Sequence, residues 1–98
     1  MPDLNVVAVI VAKPGSEATV GAALAALVEP TRAEEGCLSY ELYESEADPT
    51  TFITVELWRS QADLDQHTTS PHLRAALESA GDALAATPAI HPLKSYGA

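Results

Sequence analysis

The run Val6-Val7-Ala8-Val9-Ile10-Val11 limits what this chain can fold into more than any other stretch. It is β-branched and apolar, interrupted only by Ala8, and so predicts a strand. Val7, Val9 and Val11 would point to one side of a sheet, Val6 and Ile10 to the other. Both sides are apolar, so the strand must be covered on both faces. The remaining sequence has to supply one cover, and something has to supply the second.

Lys13-Pro14-Gly15-Ser16 ends the strand, and Ser16 is placed to cap a helix with Glu17 in its first turn. Val20, Leu24, Leu27 and Val28 recur at helical spacing. Pro30 is expected to end or kink that helix, with one further turn over residues 31–35 and Gly36 as a left-handed cap. Cys37 to Glu44 alternates, with Leu38, Tyr40 and Leu42 on one face and Ser39, Glu41 and Tyr43 on the other. Phe52 to Trp58 alternates again after an Asp48-Pro49 turn, so the two strands read as a hairpin. Ser60, with Asp63 three places on, caps a second helix. Ser70-Pro71 restarts it, with serine as cap and proline in the first turn. Leu73, Ala76, Leu77 and Ala80 give it an apolar face, and Gly81 weakens or ends it. Ala89 to Tyr96 reads as a last strand whose Pro92 belongs at an edge or a bulge.

The order is β-α-β-β-α-β, a ferredoxin-like α+β fold with an antiparallel sheet and two helices on one face. Residues 1–98 read as one domain, and a chain of this length buries roughly 60–70% of its unfolded surface. No segment remains to cover the second face of the first strand. A second copy packed sheet against sheet is the economical solution, so a homodimer is expected.

Composition then narrows the function. Fourteen Asp+Glu stand against five Lys+Arg, a formal charge of -9. That repels phosphate backbones and anionic lipid, so neither nucleic acid nor membrane is an expected partner. No apolar run approaches the roughly 18–20 residues of a membrane span. The start, Met-Pro-Asp-Leu-Asn, has no basic region, so no secretory leader is expected. Cys37 is the one cysteine, which excludes an intrachain disulfide; a cytoplasmic protein is expected.

The chain carries neither a dinucleotide-binding glycine motif nor a phosphate-binding loop, so no cofactor is expected. His67 and His72 invite a metal reading. Their spacing of five, broken by Ser70-Pro71, does not place both rings on one helical face. No third ligand is signalled nearby, and no metal site is expected. His72, in the first turn of the restarted helix, has a mainly structural setting. His67, one turn after Leu64, can lie over the sheet near Trp58, either as a satisfied, partly buried histidine or as a group that moves protons. Phe52, Thr54, Glu56 and Trp58 share a strand face. Glu56 would there either pair with Arg32, Arg59 or Arg74, or act in an aromatic-lined cavity as proton acceptor or orienter. Cys37, beside no basic cluster, reads as packing rather than a nucleophile.

Three stretches, taken in order, resemble one family. Arg32-Ala33-Glu34-Glu35-Gly36-Cys37-Leu38-Ser39-Tyr40 is similar to the Arg-x-Glu-x-Gly-Cys-x-x-Tyr step of the antibiotic biosynthesis monooxygenase domain. Glu56-Leu57-Trp58-Arg59-Ser60, followed by Leu64, His67 and Ser70-Pro71-His72, resembles its second conserved stretch, and Lys13-Pro14-Gly15 its usual end of the first strand. The likeness spans nearly the whole chain and lies nearest the quinol monooxygenase branch. It implies a dimeric α/β barrel and oxidation of hydroquinones or polycyclic phenols by dioxygen without metal, flavin or other prosthetic group. In that scheme His67 would take a proton, with Glu56 orienting it or serving instead. Phe52 and Trp58 would stack the aromatic substrate, Tyr40 would bond its oxygen, and His72 would complete the substrate-binding set.

Haem-degrading enzymes share the fold, but their proximal histidine would fall near Leu77, their second tryptophan at His67 and their first-strand asparagine near Ala8. Those three departures argue against haem. Two other readings stay open: proton-transfer isomerisation of a small signalling metabolite, and a dimeric module that binds a hydrophobic metabolite without turnover.

Overall fold

A computed structural model describes residues 3–97; Met1, Pro2 and Ala98, on which the leader and single-domain readings partly rest, lie outside the described residues. The elements are β1 (Leu4–Val11), α1 (Glu17–Arg32), β2 (Cys37–Glu44), β3 (Thr51–Trp58), α2 (Gln61–Thr68), α3 (Pro71–Ala80), a 3-10 turn (Gly81–Ala83) and β4 (Ala89–Leu93). The four strands form one antiparallel sheet in the order β2-β3-β1-β4, which is the ferredoxin-like arrangement. β1 lies inside the sheet, consistent with its unbroken apolar run.

The helices cover one face of the sheet. Val6, Ala8 and Ile10 point into that cover and are buried, as are Val20, Leu24 and Leu27 of α1. Val7, Val9 and Val11 point the other way and are half-buried. Beside them on β3 lie Ile53, Val55 and Leu57, with Val55 paired to Val7 and 45% exposed. The second face of the sheet is therefore apolar and has no cover among the described residues.

The caps at Ser60 and Ser70 form as their spacing predicts. Ser60 Oγ accepts from the Asp63 amide at 3.2 Å, and Ser70 Oγ from the Leu73 amide at 3.3 Å. Ser70 Oγ also donates to the His67 carbonyl at 2.7 Å, which ties the end of α2 to the start of α3.

Five expectations need correction. Ser16 occupies the cap position of α1 but its side chain makes no capping bond. Pro30 does not end α1, which runs on to Arg32; near a C-terminus the lost donor removes one bond while later amides still find Glu29 and Thr31 carbonyls. Gly36 is not a left-handed cap. A Cβ there would collide with the side chain of Asp63, so the glycine admits the start of α2 against the chain. Leu38 does not share a face with Tyr40. A bulge between Cys37 and Ser39 makes it the extra residue of β2, and it is largely exposed. The last strand stops at Leu93 instead of Tyr96. It sits at the sheet edge, where Pro92 is tolerated for want of an outer partner.

Candidate functional site

A cavity of about 200 Å3 lies between the inner face of the sheet and the helices. Small side chains leave the space: Ala8 in the middle of β1, and Ala76 and Ala80 on α3. Its wall is mainly apolar. The groups able to do chemistry are Tyr40, Glu56 and His67, with Thr54 beside them.

Alternation along β3 delivers Phe52, Thr54, Glu56 and Trp58 to this inner side, and all four are buried. Glu56 accepts a hydrogen bond from Thr54 Oγ1 at 2.5 Å and another from Trp58 Nε1 at 2.8 Å. These donors replace water around a carboxylate that is only 5% exposed. No basic side chain pairs with it among the described residues. Arg32 bonds Glu41 and the Tyr40 carbonyl, and Arg59 holds Asp63 and Glu35. The ion-pair explanation for Glu56 thus falls away.

Tyr40 faces Glu56 across the β2–β3 ladder. Burial, and next the charge of Glu56, push its phenol well above the ordinary value, with a bond to Thr54 acting weakly the other way. It stays protonated and can donate. Cys37 is likewise pushed up to about 11, first by burial and then by Glu34 and Glu56, against a smaller pull from Arg32. It remains a thiol at neutral pH, which fits packing and not nucleophilic attack.

His67 is buried on α2 with its ring centroid 4.8 Å from that of Trp58 and 5.9 Å from that of Tyr40. Its Nδ1 meets Glu34 Oε2 at 2.6 Å. A carboxylate oxygen accepts there, so in the neutral ring Nδ1 carries the hydrogen and Nε2 the lone pair. Nε2 has no hydrogen-bond partner among the described residues, while the ring lines the cavity.

Here the sequence reading fails in an informative way. His72 Nε2 meets the same Glu34 Oε2 at 2.6 Å, so the two histidines do come together. They share no helical face, as their spacing requires. Glu34, from the turn between α1 and β2, reaches in between them. Glu34 is the candidate site residue that spacing missed; it stands in the Arg-x-Glu-x-Gly-Cys stretch, but nothing local says which histidine it will meet.

The other expected site residues sit apart from the cavity. Trp58 is fully buried behind Glu56 and His67, and Phe52 packs its ring near Gly21 of α1. His72 faces an open cleft on the far side of Glu34, beside Gly36 and Asp63. Phe52 and Trp58 therefore shape and support the site from outside its lining. Among the described residues, no helix is long and apolar enough to cross a membrane.

Comparison with known proteins agrees with this fold. Residues 4–79 match the family model described as antibiotic biosynthesis monooxygenase. A Mycobacterium tuberculosis protein named "Putative monooxygenase Rv0793" is 45% identical over 67 residues, which cover 68% of this chain and 65% of that protein. Its solved structure superposes with a TM-score of 0.85 at 33% identity, covering 99% of this chain and 98% of that one. PA3566 from Pseudomonas aeruginosa superposes with a TM-score of 0.85 at 35% identity, covering 99% and 97%. "Uncharacterized protein sll1783" from Synechocystis is 41% identical over 58 residues, 59% of this chain and 40% of that protein. The chain spans less than two thirds of the length of both curated relatives.

Proposed function

Because the chain belongs to the antibiotic biosynthesis monooxygenase family, we propose that it is a cofactor-independent monooxygenase that oxidises a small aromatic hydroquinone or polyphenol with dioxygen. One observation carries the reading. A buried histidine, its Nδ1 held by Glu34, lines an apolar cavity, and its Nε2 has no hydrogen-bond partner among the described residues. That is what deprotonating a phenol away from bulk water requires.

The chemistry then follows from the substrate. Nε2 of His67 takes the phenolic proton, and Glu34 stabilises the imidazolium. The electron-rich phenolate gives one electron to dioxygen. The phenoxyl radical, through its ring carbon, and superoxide combine to form a carbon–oxygen bond, and the proton held by His67 returns to the peroxide. The ring carbon then loses its hydrogen as the O–O bond breaks, leaving a carbonyl and one water. One oxygen atom enters the product and one leaves as water, so a hydroquinone becomes a hydroxyquinone. Tyr40, kept protonated, donates to the substrate oxygen. Glu56 orients the second hydroxyl or accepts its proton.

The apolar outer face supports a second element of the proposal. Val7, Val9, Ile53 and Val55 present a continuous patch that a second copy would bury sheet against sheet, in a protein we read as cytoplasmic.

The test is oxygen consumption by chelator-treated protein across a panel of hydroquinones and phenols, with product mass. Uptake with mass gain of one oxygen and loss of two hydrogens is expected. A panel consumed no faster than in buffer would end this reading. A second reading has its own observation: two proton carriers, His67 and Glu56, border one cavity. That arrangement suits moving a proton between two positions of a ketone. Turnover without oxygen would select it.

A further inference from the structure

Glu34, His67 and His72 place one carboxylate oxygen and two imidazole nitrogens within 4.8 Å of one another. Three different segments supply them: the turn after α1, the end of α2 and the start of α3. We propose that these three side chains form a site for a divalent transition-metal ion of the zinc class, and that filling it switches off His67 as a base.

The donor set suits such an ion. Two imidazoles and one carboxylate, with room for water, are a zinc ligand set with an open position. Oxygen-only ions such as magnesium and calcium would not choose it. The spacing has to adjust through side-chain movement. Ligand atoms around a tetrahedral zinc stand about 3.3 Å apart for bonds near 2.0–2.1 Å. The two nitrogens now stand 2.6 Å from Glu34 Oε2, so Glu34 has to withdraw by under about 1 Å, and nitrogens up to 4.8 Å apart have to close by up to about 1.5 Å. Its side chain is 15% exposed and that of His72 is 23% exposed. The ion has a way in, because the cleft that holds Glu34 and His72 opens to solvent. Glu35, Asp63 and Arg59 also border this cleft, and the pairing of Arg59 with both acids leaves its surroundings acidic on balance.

The consequence for His67 follows from tautomer chemistry. The metal takes the Nδ1 lone pair, so the ring hydrogen moves to Nε2. Nε2, the proposed base, then donates and can no longer accept. The ion binds the other ring nitrogen, so it acts on the base without taking its place. This second half rests on the proposed role of His67; metal binding itself does not.

The experiment titrates chelator-treated protein with zinc by calorimetry and with cobalt by visible absorption. One ion per chain is expected, with cobalt bands of a nitrogen–oxygen site. Glu34→Gln and His72→Ala should each weaken binding by at least about ten-fold, with folding checked by circular dichroism. His91→Ala, on the exposed edge strand, should bind as the parent does. No saturable binding, or binding unchanged in Glu34→Gln and His72→Ala, would overturn the site. Where a phenol drives oxygen uptake, zinc should abolish it in step with occupancy; full occupancy with undiminished uptake would overturn the switch. If no phenol is consumed, calorimetry still decides the site, and the loss falls on the proposed reaction and on the switch that rests on it.

Discussion

β3 contrasts with itself. Its inward residues include Thr54 and Glu56, buried and polar, whereas its outward residues Ile53, Val55 and Leu57 are aliphatic and partly exposed. A strand folding only for its own chain would reverse that pattern, because burial favours apolar groups. The reversal separates two demands. The inner face carries polar and titratable groups beside a mainly apolar cavity, and the outer face carries aliphatic side chains with no cover among the described residues. A buried acid is tolerated only because Trp58 and Thr54 solvate it.

The largest test of this contrast is on the inner side. His67→Ala should lower oxygen uptake by about 10²–10⁴-fold, the usual contribution of a positioned proton acceptor, with the fold retained by circular dichroism. Uptake within two-fold of the parent would remove His67 from the chemistry. Next, Val55→Asp puts a charge on the outer face. It should leave the chain folded but weaken self-association by about 100-fold or more, read by light scattering after gel filtration. A parent that is already monomeric would deny the outer face its role.

Glu56→Leu then asks whether inward polarity is structural as well as chemical. It strands the Trp58 N–H in a buried position, and should cost about 1–3 kcal/mol in urea denaturation. A gain in stability would mean that the acid is held only for function. The smallest effect is at Cys37, opposite Trp58 at the edge of the inner face. Burial raises its pKa to about 11. At pH 8 the thiolate fraction therefore falls about 100-fold, partly offset by stronger nucleophilicity, and alkylation by iodoacetamide should run about ten-fold slower than for a free thiol. Labelling at the free-thiol rate would show that the inner face is wetter than drawn.

Much of the fold was legible because its signals are local. The two-faced run of β1, the alternation of β2 and β3, and the caps at Ser60 and Ser70 each state a local structure, and the element order does the rest. The misreadings lie where a distant residue decides. Leu38 looked like a face-mate of Tyr40 until the ladder to β3 skipped it. Gly36 looked like a helix cap, yet Asp63 sets its need for no side chain. The site divides in the same way. Periodicity put Glu56 on one face with Phe52 and Trp58 and let His67 lie over the sheet, whereas Tyr40 entered only through the family resemblance. Glu34 was not placed by periodicity, because its partners lie 33 and 38 residues away. Trp58 and Phe52 were on the correct face too, but periodicity does not distinguish a residue that lines a cavity from one that backs it.

Ala8 has a cost that the fold alone would not choose. A void in a protein interior lowers stability by about 24 cal/mol per Å3, so a dry hollow of this size corresponds to at most about 5 kcal/mol, less where solvent enters. That is comparable with the entire folding free energy of many small domains. The alanines that open it make the chain less stable than it could be. Selection for thermal hardiness would enlarge Ala8, Ala76 or Ala80, and the hardiest descendants of this sequence would be those with no room for a substrate.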